Sequence, residues 1–260
     1  MTTTPDQILT LGRSLKLTTR VLADWVAGAT GEQLDALAGL FTAEAASRDA
    51  SHRARLLKKA RLPQHKTLEG YSWAAITLPA GMTRTQITGL EFIEPAEDLI
   101  CIGDVGTGKT HLALALARTA CLAGIEARFY TVSSLVMALR RAKTEDRLDR
   151  LLAELARPRL LILDELGYLP IDADGGRLLF QVIAQAYEHQ ALVITTNQDL
   201  SAWGTIFGDD NLAAAIIDRL IHHGRLLRFT GSSYRLAHAL LHGDETAGNP
   251  DKMAGIIATK

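Results

Sequence analysis

One stretch constrains this chain more than any other: Gly103-Asp104-Val105-Gly106-Thr107-Gly108-Lys109-Thr110. It reads as a glycine, four residues and Gly-Lys-Thr, placed directly after an apolar run at 99–102 and at the start of a helical pattern at 109–122. A strand that ends on glycines and restarts as a helix leaves backbone N–H groups free to curl around a polyphosphate, with the helix dipole adding positive potential. On this reading Gly103, Asp104, Val105, Gly106, Thr107, Gly108, Lys109, Thr110 and His111 hold ATP. Lys109 neutralises the β- and γ-phosphates, and the Thr110 hydroxyl ligates Mg²⁺. The competing reading is a glycine-rich turn ahead of a helix, with no ligand.

Two later runs end in polar residues that suit the same chemistry. The apolar run 160–163 leads into Asp164-Glu165. An acid at the carboxyl edge of a parallel sheet lies beside a phosphate loop, so Asp164 becomes the second Mg²⁺ residue, and Glu165 a general base for water. The plainer alternative is a buried strand followed by an acidic helix cap. The paired acids favour hydrolysis of ATP over phosphate transfer to a metabolite, which disfavours a small-molecule kinase. The run 192–195 leads to Asn197, placed to orient water near the γ-phosphate; a simple Thr-Asn turn is the other reading.

β-type runs at 99–102, 127–131, 160–163, 192–195 and 226–229 alternate with helical patterns at about 109–122, 134–156, 175–189 and 211–222. That alternation predicts an α/β fold, a parallel sheet with helices on both faces. Gly124 and Gly224 mark helix ends. Upstream, Leu34, Leu37, Leu40 and Phe41 recur at helical spacing, and Thr30 with Gln33 forms a capping box. The helical pattern continues over 48–60 with a basic face until Pro63, and a short loop through Gly70 and Pro79 follows. The expected organisation is a helical domain at 1–65, an ATPase domain at 66–242 and a flexible tail at 243–260.

Charge excludes less than its total suggests. The 260 residues sum to −1, which argues against a polycationic tail or an acidic disordered chain. Resolved by block, residues 1–66 carry +4, 140–150 carry +2, 151–218 carry −7 and 219–242 carry +4. Lys58, Lys59 and Arg61 in the first basic block, and Arg140, Arg141 and Lys143 in the second, are candidate DNA contacts; solvated helix faces are the alternative. No aromatic residues interleave with them, which fits backbone contacts to duplex DNA better than base stacking. The longest apolar runs are six residues against the ~18 a membrane span needs, and the start shows no secretory core. A cytoplasmic, membrane-free protein is expected, with Cys101 and Cys121 as core thiols.

These residues resemble the IstB-like transposition helper ATPases, in the initiator and helicase-loader branch of the AAA+ P-loop NTPases, with DnaC-like helicase loaders as cousins. The likeness rests on the phosphate loop running into His111-Leu112-Ala113, on Asp164-Glu165-Leu166-Gly167-Tyr168-Leu169-Pro170, and on Thr195-Thr196-Asn197 leading to Ser201-Ala202-Trp203. Ile216-Ile217-Asp218-Arg219-Leu220, Ser233-Tyr234-Arg235 and, upstream, Lys66-Thr67-Leu68 before Tyr71 add to it. The resemblance covers about residues 56–240. It implies an arginine finger at Arg219 that reaches a neighbouring subunit's nucleotide, against a salt bridge to Asp218 or a surface charge, and a nucleotide or subunit contact for Arg235, against a solvated helix arginine. It further implies a homo-oligomer with nucleotide at its interfaces, no full C-terminal lid domain, duplex DNA as a ligand and the element's transposase as partner. A replicative helicase loader is the alternative function. Asp104 and Val105 depart from the neutral or proline residues common in relatives.

Overall fold

The computed structural model describes residues 3–231 and residue 233. The expectations for Arg235 and for the tail at 243–260, and with them the lid, fall outside the described residues. The chain divides into two compact units, Met1–Lys58 and Lys59–Lys260.

The first unit holds α1 (Pro5–Ser14), α2 (Thr19–Ala27) and most of α3 (Gly31–Ala60). Thr30 and Gln33 form the expected reciprocal cap, the Gln33 carbonyl accepting from the Thr30 N–H at 2.9 Å and Thr30 Oγ1 from the Gln33 N–H at 3.3 Å. Ile8, Leu15, Leu22, Val26, Leu34 and Phe41 make the core, with Leu37 packed against it. Leu40 departs from the expected stripe and is 62% exposed, because it lies about 100° round the helix from Phe41. Helix α3 ends at Ala60, followed by Arg61 with φ 55°, just ahead of Pro63.

In the second unit the order is β1 (Ile76–Thr77), α4 (Arg84–Thr88), β2 (Asp98–Gly103), α5 (Lys109–Leu122), β3 (Ala127–Thr131), α6 (Val132–Thr144), α7 (Leu148–Leu155), β4 (Leu160–Leu166), α8 (Ala173–Ala186), β5 (Ala191–Thr196), α9 (Trp203–Phe207), α10 (Asp210–His222) and β6 (Gly224–Phe229). The sheet order is β1-β6-β2-β5-β4-β3. Only β1 runs antiparallel, against β6; the other pairs are parallel. The α/β sheet expected from the sequence is therefore present. Two details differ. The pattern at 134–156 is two helices, broken where Asp146 takes φ 55°. The loop before β2 contains β1 and α4, which are too short to show a periodicity.

Parallel strands covered on both faces require unbroken apolar runs, and β2, β4 and β5 are buried almost throughout. Ile100, Ile102, Leu161, Leu163, Leu192 and Ile194 share one cluster with Leu135, Leu179, Ile183, Trp203 and Phe207. On the other face α5 packs against β2 to β5, with Leu112 to Ala117 all buried. Cys101 and Cys121 are buried free thiols. Because β5 lies between β2 and β4, the ends of all three strands meet at one edge. That edge is where open α/β sheets place ligands. Among the described residues no helix is long and apolar enough to cross a membrane.

At the opposite end of β2, Asp98 is 5% exposed, and its Oδ1 accepts from the Leu192 N–H at 2.8 Å. Burial pushes its carboxyl up to about 8. The folded state thus holds this proton more tightly than the unfolded chain, so the associated stability is full below pH ~4 and is lost as pH rises to about 8. Asp98→Asn keeps an oxygen acceptor for Leu192 without the charge. Its melting temperature should exceed the parent's at pH 9, and the gap should close toward pH 4. Melts across that range check this, and a gap independent of pH contradicts it.

Candidate functional site

The loop that follows β2 is shaped by close approach and by left-handed backbone. A Cβ on Gly103 would lie 2.1 Å from the Phe229 carbonyl oxygen, and Gly108 takes φ 96° immediately before α5. Starting the helix there aims first-turn N–H groups into the space above the sheet edge. Lys109 is 4% exposed, and its Nζ donates to the carbonyls of Gly103 at 2.6 Å and Asp104 at 2.7 Å. Thr107 Oγ1 donates to the Asp104 carbonyl at 2.8 Å. Asp104 thus serves the loop through its backbone, while the side chains of Asp104 and Val105 are exposed.

Strand β4 carries an irregularity at its acidic end. Leu163 pairs with Ile194 and Leu166 with Thr196, so Asp164 and Glu165 together oppose the single residue Thr195. Glu165 takes φ 64°, a left-handed conformation that costs an L residue ~1–2 kcal/mol. The bulge leaves Asp164 2% exposed and Glu165 exposed. Asp164 Oδ1 accepts from Thr110 Oγ1 at 2.9 Å and from Thr195 Oγ1 at 2.5 Å. Thr195 Oγ1 in turn accepts from the Glu165 N–H at 3.0 Å. Burial lifts the Asp164 carboxyl above its ordinary range, against the pull of these hydroxyls and of Lys109. One residue beyond β5, the Asn197 Oδ1 is buried with no hydrogen-bond partner among the described residues.

The loop, Thr110, Asp164 and Thr195 are therefore brought together. Thr110 and Asp164 offer two hard oxygen donors 2.9 Å apart. Among the described residues no group of three or more His, Cys, Asp or Glu could hold a metal. A hydroxyl and one carboxylate completed by phosphate oxygens is the sparse donor set that suits Mg²⁺.

Other expected residues lie elsewhere. Arg219 on α10 donates from Nη1 to the Ala215 carbonyl at 3.0 Å, with its guanidinium 4.7 Å over the Phe180 ring of α8. His222 bonds Tyr187 Oη at 2.9 Å and His223 bonds Glu188 at 3.0 Å. The basic residues of α6 split between two sides. Arg140 pairs with Asp172, and Lys143 with Asp174 at 2.5 Å, at the start of α8. Arg141 instead lines a cleft of about 580 Å³ with Arg61, Arg147, Arg150 and Glu154. Lys59 lies 3.8 Å from Glu126, and Lys58 is exposed.

Two participants were not legible as site residues. Thr195 is one. Tyr71 is the other: its Oη donates to the Gly108 carbonyl at 3.1 Å, and its ring lies 5.0 Å from His111, whose Nε2 is 2.8 Å from the Thr67 carbonyl. Only its position in the linker that resembles the family's drew attention to Tyr71.

Comparison with known proteins agrees with this geometry. Residues 17–241 match the family described as IstB-like ATP binding protein. The chain is 43% identical over 183 residues to a protein of Pseudomonas aeruginosa named as an ATP-binding protein of insertion sequence IS21, covering 69% of this chain and 68% of that one. It is 36% identical over 206 residues to the corresponding protein of insertion sequence IS5376 from Geobacillus stearothermophilus, covering 79% and 82%. Among solved structures, the replication initiator DnaA bound to AMPPCP and single-stranded DNA superposes with a TM-score of 0.52 at 16% identity. That match covers 74% of this chain and 58% of the initiator, and it speaks to a shared fold alone. Fold, site geometry and a match running through both units agree: the chain belongs to the IstB-like ATP-binding protein family.

Proposed function

We propose that this chain binds and hydrolyses ATP with Mg²⁺, assembles into homo-oligomers on duplex DNA and assists transposition of an insertion element by recruiting or activating its transposase. The observation that carries the proposal is the convergence of the phosphate loop, Thr110 and the Asp164-Glu165 bulge at one sheet edge. The ATPase module is assigned to residues 66–242, with a helical domain at 1–65 and a tail at 243–260.

In this mechanism loop 103–111 receives the triphosphate, and Lys109 exchanges its loop carbonyls for phosphate oxygens. Thr110 and Asp164 would hold Mg²⁺, whose charge would offset that developing on the β- and γ-phosphates. Asn197 positions a water, and Glu165 accepts its proton as the water oxygen bonds the γ-phosphorus. The bond to the β–γ bridging oxygen breaks, giving ADP and inorganic phosphate. Arg219 acts in trans, leaving Phe180 for a neighbouring subunit's nucleotide.

The geometry shifts the duplex-binding assignment among the basic residues. Arg140 and Lys143 face acids of α8, whereas Arg141, Arg61, Arg147 and Arg150 share one cleft. Arg141 and Arg147 pair with Glu145, and Arg150 with Glu154, but all three arginines are more than half exposed. Such pairs are weak and yield readily to a phosphodiester backbone.

Lys109→Ala should abolish nucleotide binding. Glu165→Gln should retain binding and lose turnover by ~10²–10⁴-fold, measured as phosphate release; wild-type turnover by Glu165→Gln would sink the catalytic assignment. Joint replacement of Arg141 and Arg147 by alanine should weaken duplex binding and flatten the dependence of log K on log salt by ~0.9 per lost phosphate contact. Nucleotide affinity should stay unchanged. Replacing Arg140 and Lys143 should affect the duplex less, and the reverse ranking contradicts the cleft assignment. With ATP, the immobilised protein should retain the element's transposase; retention of a replicative helicase instead would turn the reading toward a loader.

A further inference from the structure

We infer that Thr195 is the positioning residue of this site, its hydroxyl setting both acids of β4 at once. This rests on the hydrolytic reading above and adds a residue to it. Asp164 and Glu165 oppose Thr195 alone across the β4–β5 pair. In an unbroken ladder the Glu165 N–H would bond a backbone carbonyl of the neighbouring strand; here it donates to the Thr195 side-chain oxygen at 3.0 Å. The same oxygen gives its one proton to Asp164 Oδ1 at 2.5 Å. Thr195 is 1% exposed, so no water is at hand to take over either bond.

Both hydroxyls on Asp164, from Thr110 and Thr195, reach Oδ1. They have different fates. Thr110 is the hydroxyl that a divalent cation would claim as a ligand, whereas Thr195 is already committed to Glu165 on its acceptor side. Were Thr110 to ligate the cation, Thr195 would still hold the carboxylate through Oδ1. On the Glu165 side, the bond to the amide holds a left-handed residue in place and so sets the origin of its side chain. A hydroxyl is needed at residue 195, because no hydrocarbon of the same shape can donate and accept.

The test compares Thr195→Val, which keeps the shape, with Thr195→Ser, which keeps the hydroxyl. Each purified full-length variant is measured for melting temperature, for affinity toward a fluorescent ATP analogue in EDTA and in Mg²⁺, and for kcat and KM of ATP hydrolysis. Thr195→Val should stay folded, melting several degrees below the parent because the Glu165 N–H loses its acceptor, and should bind nucleotide normally in EDTA. It should lose most of the Mg²⁺-dependent gain in affinity, with KM for ATP rising accordingly, and kcat should fall at least tenfold beyond that rise. Thr195→Ser should restore both toward wild type. An unchanged Mg²⁺ gain and kcat in Thr195→Val would overturn the assignment, as would equal losses in both variants, which would make the methyl group the cause. If the wild-type protein shows no turnover, the hydrolytic reading fails by itself, and the Mg²⁺ gain still decides whether Thr195 positions Asp164.

Discussion

A carboxylate taken out of water at the end of a buried sheet must be neutralised or fully hydrogen-bonded, and the rest of the site depends on how Asp164 meets that demand. Its two hydroxyl donors come from two elements on the β5 side of β4: Thr195 from β5 itself, and Thr110 from the helix after β2, one strand further on. The strand order brings them there, since β5 is threaded between β2 and β4. Without that order the loop and the acids would sit on adjacent strands, with no third strand end between them to carry Thr195 and Asn197. Burial still raises the Asp164 proton affinity.

The basic residues follow a different logic. A chain of formal charge −1 conceals local excesses, and the fold divides them further than the sequence does. Helix α6 turns Arg140 and Lys143 toward the acidic start of α8 and Arg141 away from it. One side knits two helices together. The other gathers Arg141 of α6, Arg150 of α7, Arg147 just before α7 and Arg61 just after α3 into a single depression. The charge of a segment thus says little about its field; the direction of each guanidinium decides it.

How much of this was legible follows from the range of the interactions involved. The phosphate loop, the buried strands and the Thr30–Gln33 cap are local patterns, fixed by spacing within a few residues, and they stand where the sequence places them. Strand β1 is two residues long and exists only because β6 is beside it. The bulge at Glu165 depends on a register across two strands, and Thr195 belongs to the site only through that register. Arg140 and Arg141 are neighbours in sequence, and helical geometry alone separates their directions, but which of them meets an acid depends on the placement of α8. Leu40 was misread because a spacing of three from Leu37 looked periodic, although Phe41 already occupied the inward direction.

The two carbonyl bonds of Lys109 have a consequence for the thermodynamics of the loop. At least two of its three ammonium protons are already committed, to Gly103 and Asp104. Its long side chain has therefore given up much of its ~2 kcal/mol of rotamer freedom during folding rather than at the moment of binding. On the proposed reading, an arriving phosphate would meet an exchange of partners rather than a new attraction, and the enthalpy gained would be the difference between phosphate and amide oxygens. What the loop gives up in gross strength it recovers in readiness: the lysine does not have to be caught from solvent before it can act.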